Sequence, residues 1–218
     1  EEKRREYLLY LPLYHNVLDL KIGVDTTATL AAAPPRKGKP VVFYGTSITQ
    51  GGCASRSGMA HVAILGRWLD VEMINLGFSG NGRGEMELAQ LVSEIDAQAY
   101  VLEPLPNMNL EQVRERIEPW VRLLRGKHPD TPILLVENPL NERGSPQNVA
   151  LKTAYENLKK AGVEKLWLLP GSRAQLEGKG GRLGDEEDGT VDGVHPTDLG
   201  FLRMAEYYLP VMKEVLGR

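Results

Sequence analysis

One cysteine, Cys53, is present in 218 residues, so no disulfide can form within the chain. That leaves the compartment open: a secreted or periplasmic protein with its leader removed fits, and so does a cytoplasmic one. The opening run Glu-Glu-Lys-Arg-Arg-Glu is not followed by the apolar stretch and cleavage site of a signal peptide. No apolar run approaches the ~18 residues that a membrane-crossing helix needs, so no membrane partner is expected. An excess of basic charge is missing too. The formal net charge is -3, whereas nucleic-acid-binding domains are basic, so no nucleic acid is expected. Two nucleotide signatures are also absent. A phosphate loop requires Gly-x4-Gly-Lys-Ser/Thr, but Gly45 and Gly51 are too far apart and no Lys-Ser/Thr follows. The dinucleotide pattern Gly-x-Gly-x-x-Gly does not follow the first strand.

What is present reads as one soluble domain with a small appendage. Hydrophobic residues make up 42% and charged residues 25%, ordinary for a globular chain. Residues 1–39 are expected to form a β extension and linker, and residues 40–218 the main domain. Leu18, Leu20, Ile22 and Val24 alternate with polar residues or glycine, the period of a half-buried strand. Tyr7 to Tyr14 is apolar with Pro12 inside, which suits an edge strand. The two are expected to pair as a hairpin around His15-Asn16. An isolated hairpin is marginal in water, so it must pack on the main domain or on a partner.

From Pro40 onward strands and helices alternate. Short apolar runs at Val41–Tyr44, Val71–Leu76, Ala99–Leu102, Ile133–Val136 and Leu166–Leu169 read as strands buried on both faces. Helical spacing links Leu110 to Leu124, Leu151 to Ala161 and Leu202 to Val215. Asn109 and Ser145 are N-cap candidates, the latter followed by Pro146. The expected fold is α/β: a three-layer α/β/α sandwich around a five-stranded parallel sheet, flavodoxin-like, with the short N-terminal β-hairpin extension. Gly171–Gly189, rich in glycine and charge, reads as a long surface loop.

Gly45-Thr46-Ser47-Ile48-Thr49 follows the first strand directly, and open parallel sheets bind ligands beyond the carboxyl ends of their strands. Gly45 is expected to permit an unusual turn there, and Gly51-Gly52 a close approach to substrate. A hydroxyl is a weak nucleophile unless a base takes its proton. Asp192-Gly193-Val194-His195-Pro196 supplies a histidine with a carboxylate three residues upstream to fix its tautomer. Two further loops offer donors for a developing oxyanion: Gly77-Phe78-Ser79-Gly80 after the second strand, and Pro106-Asn107-Met108-Asn109 after the third. Asn109 is the better helix cap, which leaves Asn107 available. Each motif alone is commonplace; together they are not.

In that order the four blocks, Gly-Thr-Ser-Ile-Thr, Gly-Phe-Ser-Gly, Pro-Asn-Met and Asp-Gly-Val-His-Pro, resemble those of the SGNH/GDSL hydrolases, from about Val41 to the end of the chain. The resemblance implies Ser47 as nucleophile, Asp192 and His195 as the rest of the triad, and Ser47, Gly80 and Asn107 as the oxyanion hole. Thr46 replaces the usual Asp, outside the triad. Pro-Asn-Met in place of Gly-x-Asn-Asp is similar to a subgroup of carbohydrate deacetylases, often with an upstream β-domain. The implied activity is hydrolysis of a short acyl ester, acetyl first, through an acyl-enzyme, on a small-molecule or carbohydrate ester. An acyltransferase with the same triad and a non-catalytic carbohydrate-binding module are the alternatives. No metal or organic cofactor is implied. Arg56 and Arg83 follow the first two blocks and are candidate pocket residues. Cys53 reads as a small packing residue, His61 and His128 as structural or solvated, and Glu103 as a carboxylate bonded to neighbouring loops or merely at the surface.

Overall fold

Five apolar segments pair side by side in the computed structural model, which describes residues 4–139, 144–171 and 188–218. They are β1 (Val41–Gly45), β2 (Met73–Gly77), β3 (Ala99–Glu103), β4 (Ile133–Val136) and β5 (Leu166–Leu169), all parallel, in the order β2-β1-β3-β4-β5. Parallel neighbours need crossovers. Helices described in full are α1 (Ser47–Gln50), α2 (His61–Leu69), α3 (Met86–Val92), α4 (Leu110–Lys127), α5 (Pro146–Lys160) and α6 (Asp198–Val215).

Successive strand residues point to opposite faces, and apolar residues at every position of β1 require cover on both. Tyr44, Tyr100, Leu102 and Ile133 join Val113, Ile117 and Trp120 of α4 in one core. Phe43, Val101 and Leu134 join Leu65 of α2 and Phe201 and Met204 of α6 in the other. This is the expected three-layer sandwich. The cap assignments hold as well: Asn109 and Gln112 form a reciprocal capping box at α4, and Ser145 caps α5 with Pro146 at its first position.

Strand order reverses between β1 and β3, which pair with each other from Val41↔Ala99 to Gly45↔Glu103. The loops leaving these two strands therefore diverge over a crevice at their carboxyl ends, where this topology binds ligands.

Two expectations need correction. The second strand begins at Met73, not Val71, and is half-buried throughout. It lies at one edge of the sheet and, among the described residues, pairs with β1 alone. The N-terminal hairpin does not form: residues 4–39 contain no strand, and Leu18 is 94% exposed. Alternation sorts side chains onto two faces but supplies no hydrogen-bonding neighbour, and two strands alone cannot bury either face. Among the described residues, the stretch Tyr10–Tyr14 docks on the main domain, and Arg36 and Lys39 pair with Asp70 and Asp96. Arg67 donates to the Tyr10 hydroxyl at 3.1 Å and lies over its ring, and Gln50 Nε2 donates to the Leu13 carbonyl at 2.8 Å. The long loop expected over Gly171–Gly189 lies, apart from its ends, outside the described residues.

Candidate active site

Ser47 opens α1 immediately beyond β1. Thr46 caps that helix: its side chain accepts from the Ile48 N–H, and Thr49 Oγ1 accepts from the Thr46 N–H at 3.0 Å. Thr46 and Thr49 are fully buried and Ser47 is 7% exposed, so the nucleophile candidate rides on a turn pinned from below. Gly45 serves this turn differently from the expectation. It does not adopt a positive φ. A Cβ there would lie 1.9 Å from Thr49 Oγ1 and 2.8 Å from Glu103 Cγ, so glycine is required for close packing beneath the turn. Gly51 does take the left-handed conformation, φ +97°, as the C-cap that ends α1 after one turn.

His195 comes from the other end of the chain. Thr190 and Pro196 form an antiparallel bridge, with the Val191 N–H donating to the His195 carbonyl at 2.8 Å. The chain reverses between them through Gly193, at φ +80°. Inside this turn one Asp192 oxygen accepts from the Val194 N–H at 3.0 Å and the His195 N–H at 2.7 Å. The other oxygen lies 2.7 Å from His195 Nδ1. A carboxylate can only accept, so Nδ1 carries the proton and Nε2 presents its lone pair. Ser47 Oγ lies 2.9 Å from that Nε2. The His195 main-chain N–H first, then the imidazole and the Val194 N–H, hold the Asp192 carboxyl down at about 2. Its side chain is half exposed, so it acts through hydrogen-bond geometry more than through a desolvated charge.

The loop after β2 comes over the same turn. The Phe78 N–H donates to the Gly45 carbonyl at 3.0 Å, and a Cβ on Gly82 would sit 2.1 Å from that carbonyl oxygen. Tyr44 anchors the loop from the core, its hydroxyl accepting from the Gly84 N–H at 3.0 Å and donating to Glu85 at 2.6 Å. Gly80, at φ +69°, is braced on its carbonyl by Arg83 at 2.9 Å. Asn107 Nδ2 donates to the next carbonyl, that of Asn81. Three candidate donors thus belong to adjoining loops. Among the described residues, neither the Ser47 N–H nor the Gly80 N–H is taken by another protein group, and Asn107 keeps a second amide hydrogen.

The remaining candidates separate clearly. Arg83 braces the Gly80 loop. Arg56 is an exposed residue preceding a 3-10 turn, with no side-chain cap bond. Cys53 is free and half-buried rather than fully packed. His128 ends α4 and pairs with the Ser93 carbonyl at 2.8 Å. His61 and Glu103 are both buried and lie 3.2 Å apart. Burial raises the Glu103 carboxyl, but His61 and the hydroxyls of Thr49 and Tyr208 outweigh it and hold it below the ordinary value.

Two contributors had no signal in the sequence. Gln50 ties the Leu13 carbonyl to the Ser79 N–H, which its Oε1 accepts at 2.9 Å. Tyr14, thirty-three residues before the nucleophile, brings its hydroxyl to 3.5 Å from the Ser47 carbonyl. A Cβ on Gly52 would meet both the Tyr14 hydroxyl and the His195 ring at 3.1 Å. The docked N-terminal stretch therefore borders the site.

Residues 38–213 match the GDSL-like lipase/acylhydrolase family. No curated protein matches the chain. Among solved structures, a GDSL-like lipase candidate from Bacteroides ovatus is 38% identical, with a TM-score of 0.74 over 83% of this chain and 54% of that one. The salicylyl-acyltransferase SsfX3 of a tetracycline biosynthetic pathway is 20% identical (TM-score 0.68, 83% of this chain, 56% of that one). A family two carbohydrate esterase from Clostridium thermocellum, in complex with cellohexaose, is 18% identical (TM-score 0.68, 87% and 68%). At those two identities the likeness is one of fold. The chain spans about half the length of the first two. With its five-stranded sheet and its four motif blocks gathered at one end of that sheet, the chain belongs to the GDSL-like lipase/acylhydrolase family.

Proposed function

We propose that this chain is a serine esterase that removes short acyl groups, acetyl first, from carbohydrate esters. The observation that carries this is the continuous relay from Asp192 through His195 to Ser47, with contacts of 2.7 and 2.9 Å. In this reading residues 40–218 hold the chemistry and residues 1–39 are an appended segment and linker. His195 takes the proton of Ser47 as its oxygen attacks the acyl carbon. The Ser47 and Gly80 N–H groups and the Asn107 amide stabilise the oxyanion. The imidazolium then protonates the leaving alcohol, and the neutral ring activates water to free the acyl group. The sugar preference draws support from the carbohydrate esterase of similar fold. An intact relay speaks against a purely binding module. The likeness to an acyltransferase gives a second reading, in which an alcohol replaces water; adding a sugar acceptor and assaying for the new ester separates the two.

The pH profile tests the base. Only the neutral imidazole accepts the serine proton, so kcat/KM rises with pH on a single acid limb and then levels off. Asp192, ionised above about 2, adds no second limb above that pH. A flat profile between pH 5 and 8 removes His195 as general base. Replacing Asn107 by alanine takes away one oxyanion donor and the tie to Asn81, and is expected to lower kcat by ~10²-fold or more in a folded protein. A loss below threefold removes Asn107 from the oxyanion hole.

A further inference from the structure

The most heavily bonded buried carboxylate near the site belongs to a residue that the acyl-transfer chemistry does not use. Glu103 ends β3 at 6% exposure, in register with Gly45. A carboxylate moved out of water is destabilising unless paired and hydrogen-bonded, and an apolar residue would fill a strand end without that loss. The donors that hold Glu103 come from three different helices. Tyr208 of α6 donates its hydroxyl to Oε2 at 2.6 Å. His61 of α2 lies against Oε1 at 3.2 Å, its ring packed among Phe43, Phe201 and Tyr208. The Thr49 hydroxyl of α1 closes on the same carboxyl: a Cβ on Gly45 would lie 1.9 Å from Thr49 Oγ1 and 2.8 Å from Glu103 Cγ, and the hydroxyl helps hold that carboxyl ionised.

Thr49 makes this arrangement matter for Ser47. Its one hydroxyl accepts from the Thr46 N–H at 3.0 Å and faces the Glu103 carboxylate, to which it can only donate. A hydroxyl has a single hydrogen, so the carboxylate settles which way that hydrogen points and leaves a lone pair for the backbone of the nucleophile turn. Gly45 has no side chain where Thr49 and Glu103 meet. At the far end of the network, α6 is the helix that begins three residues after His195. Its first residue, Asp198, also holds the Ser55 N–H and hydroxyl at 2.9 and 2.5 Å.

We propose that Glu103 is a positioning residue for the nucleophile: through Thr49 it fixes the Thr46–Ser47 turn, and through Tyr208 it registers that turn against the helix that follows His195. It touches no reacting atom. Its effect is on how often Ser47 Oγ and N–H stand in attacking geometry, which is a matter of turnover and not of substrate affinity.

Glu103→Gln has the same shape but one acceptor oxygen fewer. It is expected to lower kcat by ~10-fold or more with KM within twofold. Thr49→Val is expected to reproduce the loss, and Thr49→Ser, which keeps the hydroxyl, to restore activity. Because both act through one chain of bonds, the double variant Glu103→Gln/Thr49→Val should fall no further than the worse single variant. The kinetic arm rests on the serine-esterase reading. A second arm does not: hydrogen exchange of the Thr46 amide, which Thr49 Oγ1 accepts, should quicken by ~10-fold in Glu103→Gln and in Thr49→Val, but not in Thr49→Ser. Should Glu103→Gln fail to fold, the Thr49 pair carries the same comparison. Unchanged exchange in folded variants, or kinetic losses that multiply in the double variant, overturns the proposal. A parent inactive on every ester, with exchange altered as expected, overturns the esterase reading and leaves the positioning intact.

Discussion

Asp192→Asn is expected to lower kcat by ~10³–10⁴-fold, and to do more damage than Asp192→Ala. The reason lies in which oxygen does what. One Asp192 oxygen accepts two main-chain N–H groups, those of Val194 and His195. In an asparagine the carbonyl oxygen must take that place, since an amide NH₂ facing two N–H groups has nothing to donate to. The NH₂ is then forced onto His195 Nδ1, which must become the acceptor. The ring proton moves to Nε2, and the atom facing Ser47 at 2.9 Å loses the lone pair that takes the serine proton. Alanine leaves space instead, and because Asp192 is half exposed, water can accept from Nδ1 and preserve the productive tautomer. The expected order is therefore wild type, then Ala, then Asn, with Asn at least tenfold below Ala. Equal losses in the two variants would show that the carboxylate acts through its charge and not through the tautomer.

Ser47→Ala is expected to remove ~10³-fold or more of the ester-hydrolysing rate, with little change in stability. The hydroxyl makes one contact in the turn, with His195 Nε2. The N–H of residue 47, which alanine keeps, remains available to an oxyanion, as does that of Gly80. The residue left behind is thus a donor cradle without a nucleophile, and its slow background rate reports what the cradle alone contributes. Gly45 does not share this tolerance. Any side chain there collides with Thr49 and Glu103, so a Gly45 variant cannot isolate catalysis from folding.

Much of this was legible in the amino-acid order because it depends on local pattern. Apolar runs of four or five residues separated by helical spacing specify a parallel sheet covered on both faces, and Asn109 and Ser145 mark helix starts by chemistry that acts over three residues. The relay was legible for a similar reason. Asp192 and His195 sit in one turn, and Ser47 follows the first strand, where the topology brings loops together. What escaped depends on contacts between distant segments or on missing ones. The alternation from Leu18 to Val24 describes side-chain sorting, yet a strand exists only when a neighbour pairs with it, and the described residues offer none. The edge position of β2 is a property of strand order, invisible in its own five residues. Gly45 looked like a turn glycine because turns favour glycine; its need for a bare Cα arises from Thr49 and Glu103, four and fifty-eight residues away. Tyr14, Gln50 and Tyr208 carry no motif and enter only through where the chain passes.

The most direct test of the central claim is to quench the reaction with p-nitrophenyl acetate in acid and measure the mass of the peptide carrying Ser47. An acyl-enzyme route with Ser47 as nucleophile predicts one acetyl group on that peptide, absent in Ser47→Ala, which also releases p-nitrophenol ~10³-fold more slowly or worse. Turnover by the parent at an undiminished rate in Ser47→Ala, with no acetyl on the Ser47 peptide, would contradict the account.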